Sequence, residues 1–269
     1  MIRTHLDKGI WAIALLATLG FTGTARASGV VLPPPVDCSA VLNFSDSQYT
    51  ECFTDVRRGA DINDNNAPDL GGTGHTALNF TGGAGPAGDT WLTKYTPNGH
   101  TTICNGAFGI SVLADVLIHT FNNTKGAGVV ALLDSAPGGK GLAVILYDQG
   151  NSDALQLATI DPATGKLTKL TSVSLGGGIA ENAWYNLNTM VIASGDQLSV
   201  GAQVFRHVTP TDPNSPPDGQ VGPQLLFQGG LNALGLEASG EVGIAASAFS
   251  TNVNSSVTNF FTVCPPHTP

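Results

Sequence analysis

Short apolar runs separated by polar breaks fill the middle of the chain. The first two, GVVALLD and GLAVILYD, are almost continuously apolar, as in strands covered on both faces. The later runs alternate apolar and polar residues, as in strands with one wet face. No apolar stripe with helical spacing competes with this pattern. An antiparallel meander of six strands is predicted at the core of a β-sandwich: Gly128–Asp134, Gly141–Asp148, Ala154–Ile160, Lys166–Leu175, Trp184–Ile192 and Gln197–Phe205.

Turn residues and long polar segments divide the rest of the chain. Asp161–Gly165 has the turn chemistry of a hairpin. Ser45–His75, dense in Asp, Asn and Gly, is predicted to be a loop. His207–Pro223 holds five prolines and is predicted to be an exposed loop, because proline cannot occupy a central strand. Further strands are predicted at Ala40–Phe44, Thr76–Phe80 and Thr90–Tyr95, within Ala107–Phe121, and near Gln224–Phe227, Val242–Phe249 and Val257–Val263.

The first 27 residues have the features of a secretory signal peptide. Arg3 and Lys8 give a basic start, Gly9–Phe21 is an apolar segment too short to cross a bilayer comfortably, and Ala25–Ala27 is a small-x-small cleavage site. An uncleaved N-terminal anchor is the alternative interpretation. The predicted organisation is therefore a signal peptide (1–27), a Pro-rich leader (28–36), one β-sandwich domain (37–264) and a tail (265–269).

The predicted mature chain is acidic. From Ser28 onward it has 8 Lys and Arg against 19 Asp and Glu, a net charge of −11. This charge argues against nucleic acid or an anionic membrane as a partner. No other apolar run approaches the ~18 residues of a membrane span. We expect export to the periplasm or to the extracellular space.

Four cysteines, Cys38, Cys52, Cys104 and Cys264, predict two disulfides in an exported chain. Their spacing does not favour zinc, since there is no C-x-x-C pair and no histidine cluster nearby. If the first strand pairs antiparallel with the last, Cys38 lies beside Cys264 and Cys52 is left with Cys104. We expect that connectivity. Cys38–Cys52 with Cys104–Cys264 is the alternative.

Several motifs follow one another in the second half: Trp184-Tyr185-x-Leu187, Ser194-Gly195-Asp196, Gly240–Ile244 and Val257–Phe261. Their order resembles the concanavalin A-like lectin/glucanase superfamily, particularly its laminin-G-like members. The resemblance covers about Ala107–Val263. It implies a two-sheet antiparallel jelly roll whose concave face, in relatives, often holds carbohydrate or lies near bound calcium. Fold alone does not transfer an activity.

Catalytic residues are sparse. Retaining glucanases of that superfamily place their carboxylates in a Glu-x-Asp-x-(x)-Glu pattern, and the nearest segment here runs from Glu237 to Glu241. Ser239 stands at the middle acidic position, and Ser239-Gly240 favours a hairpin turn with solvated charges. Ser199 lacks the first glycine of a G-x-S-x-G elbow. His119, in an apolar strand, is interpreted as a packed core residue.

Oxygen-bearing side chains are concentrated in one predicted loop. Carboxylates and amides at this density suit Ca²⁺, which takes 6–8 oxygen ligands. An EF-hand is excluded, because the twelfth position counted from the first aspartate is Gly72. Metal-free Asx turns are the alternative. The candidate ligands are Asp61, Asn63, Asp64, Asn65 and Asp69.

Carbohydrate binding favours an aromatic platform with amide hydrogen bonds nearby. Trp91, Tyr95 and Trp184 are the candidate platform residues, and Asn186 and Asn188 share the face of Trp184 on their strand. Core packing of the aromatic rings is the alternative. We predict an exported, non-catalytic binding module for polysaccharide or a cell-surface ligand. The alternatives are a structural or adhesive matrix protein, and a glycoside hydrolase or lyase with a non-standard carboxylate pair.

Overall fold

The fold is given by a computed structural model. It describes Cys38 and residues 40–41, 51–57, 62–67, 77–82, 89–119, 125–148, 153–176, 179–180, 182–207, 219–248 and 253–265. The predicted signal peptide and leader lie outside these residues, so their boundaries remain predictions. Within the described ranges, no helix has the length and apolar character needed to cross a membrane.

The described residues form seventeen strands and very little helix. The helical elements are α1 (Leu231–Leu234) and 3₁₀ turns at Pro97–Gly99 and Gly106–Phe108. In chain order the strands are β1 (Ala40–Val41), β2 (Phe53–Arg57), β3 (Ile62–Ala67), β4 (Ala77–Gly82), β5 (Asp89–Tyr95), β6 (Cys104–Asn105), β7 (Ile110–Ile118), β8 (Lys125–Leu133), β9 (Gly141–Asp148), β10 (Ala154–Ile160), β11 (Leu167–Ser174), β12 (Trp184–Ser194), β13 (Gln197–His207), β14 (Gly219–Gln220), β15 (Leu225–Gly230), β16 (Ser239–Ala248) and β17 (Val253–Val263).

These strands form two antiparallel sheets. Sheet 1 has the order β14-β13-β12-β7-β17-β4-β3, with β15 also paired to β13 and β1 also paired to β17. Sheet 2 has the order β11-β10-β9-β8-β16-β5-β2, with β6 also paired to β16. The predicted two-sheet antiparallel jelly-roll sandwich is therefore confirmed.

One large apolar core lies between the sheets. Sheet 1 contributes alternate residues of β7, beginning with Ile110 and Val112. Phe80 of sheet 1 packs on Trp91 of sheet 2 with ring centroids 5.9 Å apart. Because successive side chains of a strand point to opposite faces, the intervening residues of the same strands face outward. On β12 and β15 this outward face of sheet 1 includes exposed side chains.

The six strands predicted in the middle of the chain are all present, but they do not form one meander. β8, β9, β10 and β11 are neighbours in sheet 2, whereas β12 and β13 belong to sheet 1. After β11 the chain changes sheets, and β12 pairs with β7 rather than with β11. A meander would need consecutive strands to stay adjacent, so this part of the prediction is wrong.

Two predicted loops contain strands. Ser45–His75 includes β2 and β3, and β3 pairs with β4 at the edge of sheet 1. His207–Pro223 includes the two-residue strand β14, which pairs with the end of β13. Edge strands tolerate polar residues and nearby prolines, which interior strands do not. The polar composition of these strands therefore gave no strand pattern in the sequence.

The disulfides are Cys38–Cys52 and Cys104–Cys264, so the expected connectivity is wrong and the alternative is correct. The first strand does pair with the last, but Ala40 lies opposite Phe261. Extending that register brings Cys38 level with Val263, one residue short of Cys264, and neighbouring strand residues point to opposite faces. Cys104 instead lies near the end of the chain, where the Asn105 N–H donates to the Pro265 carbonyl over 2.8 Å.

Both disulfides connect the two sheets. Cys38 precedes β1 of sheet 1, and Cys52 precedes β2 of sheet 2. Cys104 belongs to β6 of sheet 2, and Cys264 follows β17 of sheet 1. Structural disulfides form in oxidising compartments, so the pair supports an extracellular or periplasmic location.

Candidate functional site

The outward face of sheet 1 carries a groove that runs along β13. Its floor consists of the small outward residues of that strand, centred on Gly201. β12 forms one wall and β15 forms the other, since both pair with β13 on either side. The groove has a volume of about 680 Å³.

Gly201 sets the depth of the groove. A Cβ atom added to this glycine would lie 3.3 Å from the Gln224 Nε2 atom and 3.7 Å from the Leu226 Cδ2 atom. An amide and a methyl group therefore border the same point above the floor. A larger side chain here would fill the groove, while the backbone of a strand accepts it readily.

Three side-chain amides meet at one end of the groove. Gln203 of β13 lies directly opposite Asn188 of β12, and Gln224 approaches from the start of β15. No hydrogen bond or other polar interaction within the described part of the chain engages these three side chains. Each amide offers both donors and an acceptor, so this end of the groove can hydrogen-bond an uncharged polar ligand.

The middle of the groove is apolar. Leu226 lies opposite Gly201, which lies opposite Met190, so one register row places an aliphatic side chain on each wall. Both are unusually exposed for their type, at 49% for Met190 and 70% for Leu226. At the far end Ile192 faces Ser199, and Ser199 faces Gln228.

The described residues that line the groove include no charged side chain, although the chain as a whole has a net charge of −9. A second groove of about 260 Å³, near α1, differs in this respect, because Lys140, Asp161 and Lys166 line it. Lys140 there donates to the Leu234 carbonyl, and Asp161 caps its own turn. The described lining of the first groove thus offers hydrogen-bonding and apolar groups but no charge.

A buried polar cluster adjoins the amide end. Asp115 of β7 is almost completely buried and accepts from the Asn186 amide over 2.9 Å and from the Asn259 amide over 2.6 Å. Asn259 lies in the β17 bulge with a φ of 50°, in the left-handed region that Asn tolerates. These bonds hold Asn186 in place. The Asn186 side chain is therefore held by Asp115 within sheet 1 and does not line the groove.

The three aromatic residues predicted to form a sugar-binding platform are all buried. Trp91 and Tyr95 belong to the core between the sheets, where Tyr95 packs against Phe53 and Phe260. The Tyr95 hydroxyl donates to the Cys38 carbonyl. Trp184 is buried in a small apolar cluster with Ala77 and Leu117. A buried ring cannot stack on a sugar, so the platform prediction is wrong, and only Asn188 of that set lines the groove.

The weak carboxylate candidates do not form a hydrolytic pair. Ser239 and Gly240 begin strand β16 rather than a turn, so Glu241 is a strand residue and is buried. Its Oε1 atom forms an ion pair with the Lys94 Nζ atom at 2.8 Å. Glu237 lies outside the strand and is exposed. The interpretation of both glutamates as solvated turn charges is therefore wrong for Glu241.

Three of the candidate calcium ligands, Asn63, Asp64 and Asn65, lie in strand β3 and not in a loop. They pair with Thr81, Phe80 and Asn79 of β4. Asp61 and Asp69 lie outside the described residues. Among the residues that the structure describes, no group of three His, Cys, Asp or Glu is placed to hold a metal. Calcium binding remains a prediction.

His119 and Ser256 place an imidazole beside a hydroxyl group. The His119 Nε2 atom lies 2.8 Å from the Ser256 Oγ atom, and the other ring nitrogen lies 3.2 Å from the Asn182 side-chain oxygen. Ser256 is fully buried and donates to the Asn79 oxygen over 3.0 Å. Its single proton is thus used within the sheet, and its side chain is closed to solvent.

Gly201, Gln203, Gln224, Met190 and Leu226 were not singled out from the sequence. Met190 stands in the alternating pattern of β12, which indicates an outward face but not its purpose. Gln224 borders the predicted Pro-rich loop. The groove depends on strand partners distant in sequence, and only the register across β12, β13 and β15 reveals it.

No family model matches the chain, and no curated protein matches it. Solved structures resemble its fold. A carbohydrate esterase, vb_24B_21 from the Shiga toxin-encoding bacteriophage phi24B, is 12% identical, with 86% of this chain and 100% of that chain covered and a TM-score of 0.47. An engineered GH43 glycoside hydrolase is 8% identical, with 89% and 42% covered and a TM-score of 0.48. Peanut lectin is 10% identical, with 83% and 97% covered and a TM-score of 0.40.

These likenesses concern the fold. The two antiparallel sheets are themselves consistent with the jelly-roll sandwich that the sequence resemblance implies. At such low identity and TM-score they carry no argument about a ligand or a reaction. The two sheets themselves establish the fold, and the groove must be interpreted from its own chemistry.

Proposed function

We propose that this protein is an exported, non-catalytic binding module that holds a neutral polysaccharide in the groove on the outward face of sheet 1. The observation that carries the proposal is the described lining of that groove, which is uncharged and in which side-chain amides without a partner among the described residues adjoin aliphatic side chains. Sugar hydroxyls pair with amides, and the C–H faces of a pyranose ring pack on apolar groups. The acidic surface outside the groove disfavours anionic polysaccharides.

Isothermal titration calorimetry against neutral and acidic polysaccharides tests the proposal. We expect binding to a neutral glycan and none to polygalacturonate or alginate. Gly201→Leu fills the floor of the groove and should weaken that binding at least tenfold, while thermal stability stays close to that of the wild type. Lys169→Leu adds the same side chain at an exposed position of β11 in sheet 2 and serves as the control. Unchanged affinity in Gly201→Leu would place the ligand elsewhere.

A structural or adhesive role is the second candidate. Phe261 and Val263 of β17 are exposed on the same face of sheet 1 as the groove, at positions opposite Leu113 and Ser111. Exposed apolar side chains grouped on one face mark contact surfaces. Light scattering over a wide range of protein concentration tests this role. Self-association that Phe261→Ser abolishes and that glycan does not alter would favour it over the binding module.

The calcium hypothesis is kept as a proposal about the Asp- and Asn-rich segment. Millimolar calcium should raise the melting temperature of the wild type by binding only the folded state. An Asp61→Ala/Asp64→Ala variant should lose that rise, because it removes two anionic oxygen ligands. An identical melting curve with and without calcium in the wild type would exclude the site.

A further inference from the structure

The groove offers a specific combination of groups at one point. Above Gly201, the amide nitrogen of Gln224 and a methyl carbon of Leu226 both lie within van der Waals distance of the same position, at 3.3 and 3.7 Å. Met190 faces this point from the other wall, and Gln203 lies two register rows away, at the next position on the same face. A ligand group seated here meets a hydrogen-bonding amide and an apolar cover together.

We propose that the sugar bound in this groove carries an acetamido group, an inference that rests on the proposed function. An acetamido substituent has one N–H donor, one carbonyl acceptor and one methyl group. The row of Asn188, Gln203 and Gln224 supplies acceptors and donors for the first two. Met190 and Leu226 cover the methyl group.

The alternatives at that ring position match the groove less well. A plain hydroxyl leaves the aliphatic pair without an apolar partner, so their exposed surface stays wet. A free amine or a carboxylate brings a charge to a groove whose described lining residues supply no counter-charge. The three amides also have no partner within the described chain, so their hydrogen-bonding capacity is open to the ligand.

Two trisaccharides that differ in one substituent test this inference. Chitotriose and cellotriose are both β-1,4-linked and carry acetamido and hydroxyl groups, respectively, at the same ring position. Calorimetry should show chitotriose binding about tenfold more tightly, from one added apolar contact and one added hydrogen bond. The trimer of glucosamine, which lacks the acetyl group and is charged, should bind more weakly than either.

Variants assign the preference to the groove. Leu226→Ala and Gln203→Ala should each reduce the ratio of the two affinities, whereas Gln220→Ala, on β14 outside the groove, should leave it unchanged. Equal or tighter binding of cellotriose overturns the acetamido inference and leaves neutral glycan binding intact. If neither trisaccharide binds and no neutral polysaccharide binds, the proposed function fails as well.

Discussion

The outward faces of the two sheets differ in what they present. On sheet 2 the outward side chains of β9, Ala143, Ile145 and Tyr147, are buried in a second apolar cluster. On sheet 1 the corresponding face of β12 and β13 exposes amides and aliphatic side chains around a groove. The outward face of sheet 2 is thus buried along β9, whereas that of sheet 1 is exposed around the groove. Both faces consist of β-strands, and they differ in how far their side chains are buried.

The difference is also visible in the charged and titratable groups. Tyr147 lies in the buried face of sheet 2, and burial raises the pKa of its hydroxyl far above the ordinary value. Lys94 and Glu241, at the end of that face, form the ion pair described above. The described residues that line the groove of sheet 1 include no ionisable group. Ligand binding there should therefore depend little on pH.

The largest expected effect concerns the Cys104–Cys264 disulfide, which joins the two sheets and has the greater sequence separation of the two bridges. Replacing Cys104 and Cys264 with Ala removes a bridge with a sequence separation of 160 and should lower the free energy of unfolding by about 5 kcal/mol. Replacing Cys38 and Cys52, with a separation of 14, should cost about 3 kcal/mol. Urea unfolding measures both. A larger loss from the shorter bridge would contradict the loop-length account.

Paired truncations compare the two outward faces directly. Ile145→Ala should lower the free energy of unfolding by about 3 kcal/mol, because the side chain is fully buried in the cluster of sheet 2. Met190→Ala should change it by less than about 0.5 kcal/mol, because its side chain is half exposed on sheet 1. Similar losses for the two variants in urea titrations would remove the distinction between the faces.

The ion pair on sheet 2 should cost less to break. Lys94→Met leaves the buried Glu241 carboxylate without its cation and should lower the free energy of unfolding by about 2 kcal/mol. The double variant Lys94→Met/Glu241→Gln removes the uncompensated charge and should recover part of that loss. Chemical denaturation of the three proteins measures the coupling. No recovery in the double variant would show that the charge itself is not the cause.

A small effect is also expected in the β10–β11 turn at the edge of sheet 2. The Asp161 carboxylate accepts from the N–H groups of Ala163 and Thr164, and its hydrogen bond with the Thr164 side chain is the main cause that lowers its pKa below 3.8. The charged form therefore stabilises the folded state, and this contribution is lost as the pH falls through the lowered pKa.

Asp161→Asn keeps an accepting oxygen and removes only the charge. Near neutral pH it should lower the free energy of unfolding by less than about 1 kcal/mol, because the carboxylate is screened by solvent. The difference from the wild type should shrink as the pH falls below 3.8. Urea midpoints across that range measure it. A difference that grows towards acid would reverse the assigned sign.

Much of the fold was predictable because local signals agree with it. The apolar run Gly141–Asp148 became β9 with the predicted bounds, and Asp161–Gly165 became the turn between β10 and β11. β3 was missed because an edge strand accepts a run of Asp and Asn. The disulfide pairing was wrongly predicted because the register of β1 against β17 places Cys38 one residue away from Cys264. A difference of one residue along a strand puts a side chain on the opposite face of the sheet.

The groove was not predictable from the sequence, since its three amides come from separate strands. Asn188 was identified from its alternation with Asn186, but Gln203 and Gln224 stand in no motif. Their proximity follows from the register of β13 against β12 and β15. The aromatic residues were misleading, because tryptophan supplies as much apolar surface to a core as to a sugar platform.

The central claim is that the outward groove of sheet 1 holds a neutral glycan, and NMR mapping of side-chain amides tests it most directly. Titration of the ¹⁵N-labelled protein with the neutral glycan identified by calorimetry should shift the side-chain NH₂ signals of Asn188, Gln203 and Gln224. The signals of sheet 2 should stay unchanged. Shifts confined to sheet 2 or to the groove lined by Lys140 and Lys166, with these three amides unperturbed, would contradict the account.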